Sequence, residues 1–118
     1  MKNLFASFAL FVFLGLFVTA QAQTQSGSYY FDTNTPNYTL HDKDGKRTVD
    51  IEVTFKKPFE KRPNVVLSVI TMDVKNMGDL KYAVEPKSIS RDNFVVSVTV
   101  WGKTQINSIG GNWIAHEE

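Results

Sequence analysis

The sequence has no cysteine, only two histidines and almost no net charge, and each shortage removes a class of function. Without cysteine there is no disulfide framework, no thiol nucleophile and no thiolate metal site. His41 and His116 are the only imidazole bases, so a nucleophile with a base and an orienting partner has little to draw on. Thirteen Lys and Arg stand against twelve Asp and Glu, a balance that gives no electrostatic reason to seek nucleic acid or anionic lipid. Internal repeats, linkers, low-complexity tracts and helical periodicity are missing as well. The chain is therefore read as a non-enzyme, with no cofactor and no metal.

The apolar residues that are present begin with a leader. Lys2 precedes a run from Leu4 to Ala20 that closes on Ala20-Gln21-Ala22, the charged, apolar and small-residue succession of a secretory signal peptide. Cleavage is expected after Ala22, leaving a secreted, extracellular domain over 23–118 that does not insert into a membrane. Lys2 is the only charge removed, so the mature chain is neutral. A cysteine-free domain of this size has a modest core for its surface, and oligomerisation is one of the few ways left to bury more.

Beyond the leader the text alternates with a period of two. In "RTVDIEVTF" (47–55), Val49, Ile51, Val53 and Phe55 share one face and Thr48, Asp50, Glu52 and Thr54 the other, a half-buried antiparallel strand. "NVVLSVITMDV" (64–74) is apolar on both parities and is expected at the centre of the core. "LKYAVEP" (80–86) sends Leu80, Tyr82 and Val84 inward, and "FVVSVTVW" (94–101) sends Phe94, Val96, Val98 and Val100 inward. With one strand near 26–31 and a last one within 106–116, whose Gly110-Gly111 suggests a bulge or a close backbone approach, six strands are expected. The fold class is all-β, a six-stranded antiparallel β-sandwich.

Three features invite a chemical reading. "DKDGK" (42–46), in the long loop 32–46, begins like a calcium loop, but no further acidic ligand follows at the required offset, and Asp42 and Asp44 read equally as solvated turn residues. "NYT" (37–39) is either a glycosylation acceptor or ordinary loop. Trp101 stands with Val95, Ser97 and Thr99 on the face away from the core. Such an aromatic caps a strand end, packs at a protomer contact, or grips the apolar face of a sugar ring. Trp113, in the apolar setting "NWIA", reads as structural.

The order of these pieces resembles a known family. Phe55-x-x-Pro58-Phe59, then "RPNVVLSVITMDV" (62–74), then Phe94 opening a strand that closes on Trp101, then Thr104, Ile106, Ser108 and "WIA" (113–115), is similar to the H-type lectin domain found in snail agglutinins and discoidins. The similarity covers roughly residues 44–116. It implies a homotrimer, or stacked trimers, binding galactose or N-acetylgalactosamine glycans in clefts between protomers, with agglutination or cell adhesion as the outcome. Residue by residue, it puts the family's sugar-binding acidic residue at Asp44 with Asp42 nearby, its basic donor at Lys81 and its aromatic at Trp101. Gly102 and Asn107 fall where members often carry ring-bearing side chains. The alternative is a trimeric structural or adhesion module of the same fold that binds no sugar.

Overall fold

In a computed structural model, residues 23–75 and 78–118 are described. The expected leader, 1–22, lies outside the described residues. The described residues form seven strands: β1 (Thr24–Asp32), β2 (Arg47–Thr54), β3 (Asn64–Leu67), β4 (Thr71–Val74), β5 (Tyr82–Lys87), β6 (Asn93–Val100) and β7 (Ile106–His116). All pairings are antiparallel. One sheet places β7 between β1 and the β3–β4 edge, and the other places β6 between β2 and β5. The all-β antiparallel sandwich expected from the alternation is the observed fold.

Alternation explains the core. Val49 on β2 and Phe94, Val96, Val98 and Val100 on β6 meet Tyr29 and Phe31 on β1 and Ile109, Trp113 and Ala115 on β7, all of them buried. Outside the strands, the Phe55 ring packs on Phe59, Phe94 and Trp113, and Phe94 packs on Trp113, with centroids 4.8–5.8 Å apart, two of the four pairs edge to face and two tilted. Such ring pairs contribute about 0.5–1.5 kcal/mol each beyond their buried area. The indole of Trp113 lies where a Cβ on Gly27 would be, 2.7 Å from Nε1, so glycine is what admits it.

Two expectations about strands are corrected. The single strand 64–74 is divided into β3 and β4, which raises the count from six to seven. Leu67 pairs with Trp113 and Thr71 with Gly110, so residues 68–70 span one residue more than β7 does. Gly111 lies under that irregularity, and a Cβ on it would fall 1.8 Å from the Ser68 carbonyl oxygen. The close approach anticipated for the glycine pair is therefore real. Nor is 64–74 central: it forms an edge, with Val66 67% and Ile70 66% exposed. Its second apolar parity faces outward beside Ile114, 49% exposed.

Leu80 and Tyr82, expected inward, are also exposed, because β5 is the other sheet's edge and the sandwich is open on that side. Among the described residues there is no helix, and so none long and apolar enough to cross a membrane.

Candidate functional site

The long loop 32–46 closes one end of the sandwich. Tyr38 and Leu40 are buried; the Tyr38 hydroxyl donates to the Ile106 carbonyl, and Ile106 N–H donates to the Leu40 carbonyl at 2.8 Å. Burial, together with the nearby Asp32 carboxylate, holds the Tyr38 phenol well above the usual tyrosine range. With its start anchored in this way, the loop delivers Asp42–Gly45 to the turn that follows β6. Gly45 N–H donates to the Gly102 carbonyl at 2.8 Å.

Arg47 fixes the junction. Its guanidinium is buried and donates to the carbonyls of Gly45 (2.9 Å), Asp42 (2.8 Å) and Thr104 (2.7 Å). One planar fork thus ties the acidic loop to the Trp101–Thr104 turn, a task that a lysine ammonium performs poorly. The carboxylates of Asp42 and Asp44 are exposed and make no hydrogen bond or ion pair among the described residues. Among those residues no cluster of three metal-ligating side chains occurs, and the chain bends through "DKDGK" with Lys43 and Gly45 at positive φ.

Trp101 is 41% exposed and follows the last residue of β6, with its backbone N–H on the Lys81 carbonyl at 3.2 Å. Its neighbour Gly102 has φ 66° and lies against two side chains: a Cβ there would be 2.9 Å from Asp79 Oδ2 and 3.4 Å from Lys81 Cδ. Asp79 organises this corner. It accepts from Lys103 N–H at 2.9 Å through Oδ2 and pairs through Oδ1 with Lys81 Nζ at 3.7 Å. Buried Thr104 completes the link, accepting from Lys81 N–H at 2.7 Å and donating to the Asp79 carbonyl at 3.0 Å.

Of the six residues singled out from sequence, Asp42, Asp44, Lys81, Trp101 and Gly102 come to one end of the sandwich. Asn107 stands apart on β7. Asp73 pairs with Ser108 and Val74 with Ile106, which leaves Asn107 as the extra residue of a bulge, and no hydrogen bond among the described residues joins its side chain to the cluster. Sequence reasoning missed Arg47 and Asp79. An arginine opening an alternating strand looks solvated, and an isolated aspartate in a loop carries no signal of the lysine it will face.

The arrangement offers an exposed indole, an ammonium, two carboxylates without a hydrogen bond among the described residues and a set of fixed backbone groups. That is equipment for binding. Residues 50–116 match the H-type lectin domain family. A Fuscovulum blasticum protein described as "ATP synthase subunits region ORF 7" is 25% identical over 71 residues, 60% of this chain and 62% of that protein. Two structures of Dictyostelium discoideum discoidin II, one of the wild type and one of the native recombinant protein, superpose with a TM-score of 0.73 at 19% identity over 83% of this chain. The chain spans 37% and 38% of those two, so it covers less than two thirds of each of these proteins, and the likeness to discoidin II is one of fold.

Proposed function

Because the chain belongs to the H-type lectin family and has the fold of a carbohydrate-binding lectin, we propose that it is a secreted lectin for galactose and N-acetylgalactosamine glycans, acting at sites between the protomers of a homotrimer. The observation that carries the reading is the meeting of exposed Trp101 with Lys81 and the Asp42–Asp44 loop at one corner of the sandwich. The indole packs on the apolar face of the pyranose, Lys81 donates to ring hydroxyls, and Asp44, with Asp42 beside it, accepts from them. Gly102, beside Trp101, lets Asp79 and Lys81 pack close to the turn. Asn107 lies on another strand and contributes from a neighbouring protomer or at the rim. No bond is made or broken.

The exposed apolar surface supports the oligomer. Val66, Ile70 and Ile114 stand on the outer face of the β1-β7-β3 sheet, and Leu80 and Tyr82 flank Lys81 at the open edge. Of these, Leu80 and Tyr82 adjoin the site itself, as a site shared between protomers requires. One monosaccharide gives few contacts and binds weakly, and several sites per assembly restore avidity on a glycan-covered surface.

The fluorescence of Trp101 tests this, since Trp113 is buried and contributes little to quenching by a small solute. In the intact oligomer, acrylamide should quench Trp101, and added N-acetylgalactosamine should protect it. Quenching that is absent from the outset would mean that Trp101 is sealed in a protomer contact, which favours the structural module.

A further inference from the structure

We infer that the outer face of the β2-β6-β5 sheet carries a second sugar subsite, which holds a neutral pyranose unit linked to the one placed against Trp101. The inference rests on the lectin reading and extends its site from a monosaccharide to an oligosaccharide. A depression opens on this face beside Trp101. Its floor is a row of small side chains across three strands, Thr48, Thr99 and Ala83, with the two threonine hydroxyls 2.9 Å apart. Three strands at about 4.8 Å spacing give a floor about 10 Å wide, enough for one ring.

The walls supply what sugar hydroxyls need. Trp101 closes one end and is common to both subsites. Lys46 stands at the β2 side, and Glu85 and Lys87, paired at 3.6 Å, stand on β5. Ammonium groups donate, the carboxylate accepts, and the threonines do both. These charges offset one another, with Asp50 adding a carboxylate farther along the same face, so an acidic sugar gains nothing over a neutral one.

Ser97 lies beneath this face, next to the depression rather than in its lining. It shares the outer face with Thr99, between Asp50 and Glu85, yet it is fully buried and its hydroxyl has no hydrogen-bond partner. Buried polar atoms are nearly always paired, and an unpaired one invites an explanation. The exposed Glu85 side chain is its cross-strand neighbour.

The test compares methyl galactoside with a panel of neutral galactose-terminated disaccharides by calorimetry, using the intact oligomer. At least one disaccharide should bind about tenfold tighter than the monosaccharide, the worth of one or two net hydrogen bonds. Glu85→Ala, at an exposed position away from the acidic loop, should reduce that ratio toward one while leaving monosaccharide affinity unchanged. Ala83→Tyr, which fills the floor, should do the same; intact monosaccharide binding shows that each variant is folded. A ratio near one throughout the panel, or a ratio untouched by both substitutions, would overturn the subsite and leave the lectin reading standing. Failure of wild-type protein to bind either class would overturn both.

Discussion

Arg47 shows how much of the site depends on one buried side chain. Its three short hydrogen bonds hold the acidic loop and the Trp101–Thr104 turn together. Arg47→Ala leaves those carbonyls without their donor and should destabilise the domain by about 2–4 kcal/mol in urea unfolding, with Arg47→Lys restoring only a minor part. Tyr38 makes a different prediction. Burial disfavours its phenolate, so the folded-state pKa lies above the unfolded value of about 10. The sign follows from linkage. The stabilisation is complete below pH about 10 and is lost as pH rises toward the folded value, so thermal stability should decline on the alkaline side, and less in Tyr38→Phe.

At the scale of elements, the alternating strands β2 and β6 were legible, whereas the run with two apolar faces was not, and the alternation at Leu80 and Tyr82 did not reveal that β5 is an open edge. Val49, Phe94, Val96, Val98 and Val100 point inward as their alternation requires. For residues 64–74 the pattern could not separate a strand buried between layers from an edge strand with apolar residues facing out, because both faces are apolar in either case. Bulges leave no periodic signature until the partner strand is known. One opposite Gly111 divided the run, and another singled out Asn107. Trp101 was legible by parity alone, whereas Asp79 and Arg47 act through contacts between segments distant in sequence. Gly111→Ala tests the element argument directly. Its Cβ cannot coexist with the Ser68 carbonyl, and the displaced β3–β4 edge should cost about 3 kcal/mol or more by chemical denaturation.

At the scale of the whole molecule, the outer faces of the two sheets differ in character. The β1-β7-β3 face is apolar at Val66, Ile70 and Ile114, while the β2-β6-β5 face presents Thr48, Asp50, Glu85 and Lys87. In the proposed oligomer, copies of the chain cover the first face and the apolar edge at Leu80 and Tyr82 beside Lys81, and the Thr48–Glu85 part of the second face is left to solvent and ligand. Sedimentation should accordingly give a trimer for the wild type. The double variant Val66→Lys with Ile70→Lys should sediment as a folded monomer, because an unpaired charge buried in such a contact is strongly unfavourable, and sugar affinity should fall at least tenfold if the sites are shared between protomers.

The most direct measurement places residues 23–118 and the same chain carrying Trp101→Ala on an array of immobilised glycans. The account predicts that the wild type binds galactose or N-acetylgalactosamine termini and that the variant, equally folded and equally oligomeric, does not. Two stable trimers that bind nothing at high glycan density would contradict it and leave the fold as a structural module.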